Sequence, residues 1–264
     1  LNDTFIIKLF ISFVIGGAWV VAATHFADRY GTKTGGIITG LPSTALISLF
    51  FIGWTQSPRV SVEATTIIPI IGAVNALFLL AYIALARKNF WLALGTSFLV
   101  WGGFSFLFVL LDFSGFLLSI GIYAIVAFLS FWLIEKGIKV KSARPASIQN
   151  TAKTLAFRGL FSGSIIALAV TLGKTGGPLL GGMFAMFPAM FTGTLLITYF
   201  SQGPLFSSAM MKVALLSASS VVLYAVLVRF TYIPMGLFLG TAVSILVSFT
   251  YAFIISISLI KRIS

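Results

Sequence analysis

Apolar residues along this chain run in stretches of about 20, each ended by a charge, a proline or a glycine pair, and that is the length a helix needs to cross a bilayer core. Nine such stretches are predicted as transmembrane helices: residues 5 to 26, 35 to 54, 60 to 86, 90 to 111, 115 to 134, 155 to 173, 178 to 200, 205 to 228 and 233 to 260. Only Asp112 to Gly115 separates the fourth from the fifth, but the two runs together are far too long for one span at about 1.5 Å per residue. An odd number of spans puts the two ends of the sequence on opposite sides of the membrane. No cleavable signal is expected ahead of the first run.

Composition agrees with this pattern. Of 264 residues, 59% are apolar and 8% charged, whereas about a quarter of a soluble domain is charged. The formal charge of +12 invites a nucleic-acid reading, but its distribution has a simpler cause. Nine spans place Arg29, Lys33, Arg87, Lys88, Lys136, Lys139, Lys141, Arg144, Lys153, Arg158, Lys261 and Arg262 on one side. The other side receives Lys8, Arg59, Lys174 and Arg229, and Lys212 falls inside a span. Because cytoplasmic loops collect Lys and Arg, this predicts a multi-pass protein of the cytoplasmic membrane with its N-terminus outside and its C-terminus cytoplasmic. The densest basic stretch, 136 to 158, reads as a solvated linker touching anionic lipid heads. Membrane lipid is therefore an expected partner and nucleic acid is not, since no soluble segment interleaves basic residues with exposed aromatics. The absence of cysteine excludes disulfides and thiolate chemistry.

An internal repeat organises the spans. Residues 35 to 58, GGIITGLPSTALISLFFIGWTQSP, align without a gap on residues 181 to 204, GGMFAMFPAMFTGTLLITYFSQGP, at an offset of 146. Gly35, Gly36, Pro42, Leu49, Gln56 and Pro58 recur as Gly181, Gly182, Pro188, Leu195, Gln202 and Pro204. At this offset the first four spans correspond to the last four, and the fifth has no counterpart. One unpaired helix between two four-helix repeats forces the second to insert upside down. The expected fold is thus all-α, nine helices in a 4+1+4 inverted-topology repeat: a first repeat over 1–113, a linking helix and basic linker over 114–154, and a second repeat over 155–264.

Two similar halves in opposite orientation can exchange conformations, which is what alternating access requires, and sites in such folds lie near the midplane where helices are interrupted. The second and seventh spans are the expected interrupted pair, each opening on a glycine pair and meeting a proline about two turns later. Candidate substrate-binding residues are therefore Gly35, Gly36, Pro42, Gly181, Gly182 and Pro188, with mid-span Asn75 and Lys212. Lys212 has two readings: it snorkels to the cytoplasmic interface, or it faces a polar cavity as a counter-charge or a protonatable group. Glu63 near the external start of the third span is an interfacial cap or a cation or proton site. Gln56 and Gln202 end their spans at opposite surfaces as caps or gates. Lys33 and Lys174 precede glycine pairs, where they anchor the helix at the interface or favour an anion beside free amides.

Membrane-embedded enzymes carry paired acids, Ser with His, or His clusters. Here the single His25 lies near Asp28 and the five acids are dispersed, so no enzyme, metal site or cofactor is expected. The function expected is a secondary permease for a small organic, anionic solute. A channel, a lipid-handling protein and a non-transporting membrane subunit are the alternatives.

Overall fold

The computed structural model describes residues 3–29, 32–141 and 151–259. Part of the basic linker, 142–150 with Arg144, and the C-terminal Lys261 and Arg262 lie outside the described residues. All regular structure among the described residues is helical. In chain order the helices are α1 Asp3–Arg29, α2 Thr32–Thr39, α3 Ser43–Thr55, α4 Pro58–Ala64, α5 Ile68–Leu85 and α6 Phe90–Leu110. They continue as α7 Phe116–Trp132, running into a π-helical turn Leu133–Ile138, then α8 Ala152–Thr175, α9 Pro178–Ala185, α10 Ala189–Gln202, α11 Pro204–Ser217 and α12 Ser219–Leu259.

Eight described helical runs are long and apolar enough to cross a membrane, which makes this a multi-pass membrane protein by length and composition. The difference from nine lies at the C-terminal end, where Pro204–Ile255 forms one run of 52 residues. Arg229, taken from the sequence as the boundary between two spans, does not end a helix. The chain instead departs from helical geometry at Gly236, with φ 75° and ψ 172°, two residues after Pro234. There it folds back. Thr231 Oγ1 donates to the Gly240 carbonyl at 3.3 Å and lies 3.1 Å from Ser244 Oγ, whereas thirteen residues of straight helix span about 20 Å. Glycine permits this reversal because its φ is one that side-chain-bearing residues rarely adopt.

The third span also differs from a plain helix. It breaks at Thr65–Ile67 between α4 and α5, four residues ahead of Pro69, whose ring clashes with the carbonyl of residue i−4 and whose nitrogen donates no hydrogen bond. Arg229 spans this break, its Nη1 donating to the Val62 carbonyl at 3.3 Å and to Thr66 Oγ1 at 3.1 Å.

The spans Thr32–Thr55 and Pro178–Gln202, each interrupted, are the most buried of the eight. About 78% of the hydrophobic window is buried in both Thr32–Thr55 and Pro178–Gln202, against 28% in α1 and in α6. Backbone groups freed by a break find no partner in hydrocarbon, so the interruptions between α2 and α3 and between α9 and α10 lie inside, beside the equally sheltered α5 with 72% of its window buried, while α1 and α6 keep an outer face toward lipid. Exposed Leu99, Leu110, Leu117 and Phe128 on α6 and α7 form part of that outer face.

Glycines set the closest approaches, and they do so in reciprocal pairs at the offset of 146. A Cβ on Gly17 would lie 2.5 Å from the Gly159 carbonyl oxygen, and one on Gly163 would lie 2.6 Å from that of Phe13. Adding 146 to 17 and 13 gives 163 and 159. Likewise Gly36 packs on the Met210 carbonyl and Val213, while Gly182 packs on the Ala64 carbonyl and Ile67. Small residues let helix backbones touch where no hydrophobic force between helices is available.

Candidate functional site

The two interrupted spans break in the same way. Pro42 has φ −73° and ψ 43°, and Pro188 has φ −75° and ψ 44°. Around them Gly40 N donates to Gly36 O at 3.0 Å and Met186 N to Gly182 O at 3.3 Å. Ser43 N donates to Leu41 O at 2.7 Å, matching Ala189 N to Phe187 O at 2.7 Å. Each proline thus sits at the centre of a tight inverse-γ-like turn, after which the helix resumes. The breaks lie at 40–42 and 186–188, just beyond the glycine pairs, which remain helical in α2 and α9.

Resuming a helix leaves its first amides without carbonyl partners. Leu46 N returns to the Pro42 carbonyl at 2.8 Å and Thr192 N to the Pro188 carbonyl at 2.9 Å. Thr44 and Ala45 on α3, and Met190 and Phe191 on α10, make no such bond, and no side chain caps either helix start. All four residues line one cavity of about 50 Å³ between the breaks, room for a few waters or a small solute. Pro42, Asn75 and Pro188 line it as well, with Tyr123 contributed by α7.

Each break is braced from the other half of the chain. Asn75 Nδ2 donates to the Met186 carbonyl at 2.9 Å. Ser217 Oγ donates to the Ile37 carbonyl at 2.8 Å, where a bond to its own helix was the ordinary expectation for a serine in a span. Ser43 Oγ approaches Met190 Sδ at 2.8 Å, joining the two turns directly.

The remaining sequence candidates lie elsewhere. Gly35, Gly36, Gly181 and Gly182 are packing positions outside the cavity wall; a Cβ on Gly35 would meet Met210 and Ala27, and one on Gly181 would meet Gly173. Lys212 is fully buried but does not line the cavity. Its Nζ donates to Glu135 Oε2 at 2.9 Å and to the Val140 carbonyl, past the end of α7. Glu63 is exposed on α4. Gln56 Nε2 reaches the Val170 carbonyl at 3.5 Å, and Gln202 is half-buried at the end of α10. Lys33 is half-buried in the first turn of α2, and exposed Lys174 holds its Nζ 3.9 Å from the Phe5 ring centroid.

Three features were not singled out from the sequence. Tyr123 reaches the cavity from the unpaired span, which the repeat gave no reason to examine. Glu135 partners Lys212 across 77 positions, a pairing that local spacing does not reveal. Arg158, taken as a linker charge, is 1% exposed beside Gly193; its small neighbours Gly159 and Gly163 were the available signal. Among the described residues no group of three or more His, Cys, Asp or Glu is placed to hold a metal ion.

Residues 9–114 match the model of a family described as a protein of unknown function (DUF3147), a segment that runs from within the first predicted span to just past the fourth. No curated protein and no solved structure matches the chain.

Proposed function

We propose that this protein is a secondary transporter that moves a small organic anion across the cytoplasmic membrane by alternating access between two inverted repeats. The repeats are residues 1–113 and 155–264, joined by the α7 span and the basic linker over 114–154. Nine spans follow once the run Pro204–Ile255 is divided at Gly236, the position that corresponds to Phe90 at the start of α6. The N-terminus is outside and the C-terminus cytoplasmic.

The observation that carries this reading is the cavity wall. Positions 39–42, 44, 45, 72 and 75 of the wall recur in it as 185–188, 190, 191, 218 and 221. A cavity whose two sides are the same segment of a repeat lies where an exchange of conformations between the repeats alters access from either face. The reciprocal glycine contacts support the same relation, and the family match ending at 114 agrees with a unit that closes there. Gln56 and Gln202, at the far ends of the interrupted spans, act as gates on opposite surfaces. The scarcity of acids favours proton coupling or facilitated diffusion over a multi-carboxylate sodium site.

Counterflow in proteoliposomes tests the carrier: saturable exchange stimulated by trans solute is expected, and linear flux indifferent to trans solute replaces it with a channel. Inversion is tested separately, because the chain has no cysteine. A cysteine at Lys88 and one at Met235, in corresponding turns, should react with an impermeant maleimide from opposite sides. Labelling of both from one side refutes the inverted arrangement.

A further inference from the structure

We infer that the cavity takes a small monoanion that itself carries a hydrogen-bond donor, of the short hydroxycarboxylate type, held by the amide ends of α3 and α10 and read by the Asn75 side-chain oxygen. For transport this rests on the carrier reading; for binding it stands by itself.

The charge follows from the two helix starts. A helix N-terminus behaves as roughly half a positive charge, so two converging on one cavity offer about one unit. Among the described residues no charged side chain lines the wall. A monoanion is then balanced, while a dianion brings a second charge with no side-chain charge to meet it. Four unbonded amides, those of Thr44, Ala45, Met190 and Phe191, are the donors available to its oxygens.

The donor requirement comes from Asn75. It is 6% exposed, and its Oδ1 is buried without a hydrogen-bond partner. The amide cannot turn round to relieve this, because the Met186 carbonyl accepts only and holds Nδ2 at 2.9 Å. A buried acceptor without a donor is costly, so a ligand that presents an O–H or N–H there gains over one that does not. Leu41, Leu79, Phe187 and Leu215 supply an apolar part of the wall, which suits a short carbon body. A cavity of about 50 Å³ suits a body of a few heavy atoms.

Glycolate and acetate form the smallest matched pair, differing by the hydroxyl, and oxalate is a dianion of similar size. Thermal unfolding of the purified protein and counterflow of radiolabelled glycolate in proteoliposomes at pH 7.5, corrected for protein-free vesicles, are the two readouts. Glycolate is expected to protect and to compete roughly tenfold better than acetate, and oxalate roughly tenfold worse than glycolate. Asn75→Leu, checked as monodisperse, should bring the glycolate-to-acetate ratio from roughly tenfold to about one. Equal competition by glycolate and acetate in the wild-type protein overturns the donor requirement, and equal competition by oxalate overturns the monoanion. Protection by glycolate without counterflow overturns the carrier while supporting the ligand class. Saturable exchange of another solute with no response to glycolate overturns the ligand class alone, and neither protection nor exchange overturns both.

Discussion

Replacing Glu135 with Gln removes a carboxylate from beside a lysine in the protein interior. Lys212 is fully buried, and its two named contacts are Glu135 Oε2 at 2.9 Å and the Val140 carbonyl. Breaking a buried ion pair from one side costs about 3–5 kcal/mol, and because the Val140 carbonyl stays in place the lower end, about 3 kcal/mol, applies to Glu135→Gln. The reverse change is milder. Lys212→Met leaves behind a carboxylate that is 21% exposed, at a cost of about 1–2 kcal/mol. The double variant removes both charges, so its loss should fall short of the sum of the single losses by about 1–3 kcal/mol. For a chain of this length each kcal/mol shifts Tm by about 2–4 °C, so Glu135→Gln should unfold about 6–12 °C below the wild type. The five tryptophans provide the fluorescence signal, with all variants in the same detergent. Equal losses in the two single variants, or a double variant whose loss equals their sum, refute the asymmetry and the coupling drawn from the geometry.

Other outcomes follow from single contacts. Gly36→Val and Gly182→Val drive side chains into the backbone carbonyls of Met210 and Ala64 and should lower Tm by several degrees, about 1–3 kcal/mol each; Gly102→Val, with open space around it, should not, and equal effects at all three refute the close packing. Gly236→Ala forces a positive φ on a residue with a Cβ and should cost about 1–2 kcal/mol in the same unfolding assay, while Gly95→Ala, inside α6 with open space around it, should instead stabilise by up to about 1 kcal/mol. Arg229→Met removes the bonds to Val62 and Thr66 and the guanidinium 4.4 Å from the Phe116 ring centroid, and should cost about 2 kcal/mol; an unchanged melt would mean that the α4–α5 break holds without it.

The spans themselves were legible in the sequence because a bilayer imposes one length and one chemistry on whatever crosses it. Residues such as Gly36 with Gly182, and Pro42 with Pro188, showed the repeat because proline and glycine act on their own backbone, and that action is local. The same locality explains what was missed: Gly236 ends its helix where no charge marks the turn, and Arg229 marks a boundary where the helix continues. Tertiary structure alone decided which candidates meet. It gathered Pro42, Pro188 and Asn75 around one cavity, put the glycine pairs at helix contacts, and sent Lys212 to Glu135. Burial of a charge and convergence of helix ends depend on neighbours tens or hundreds of positions away, and only the packed bundle brings these together.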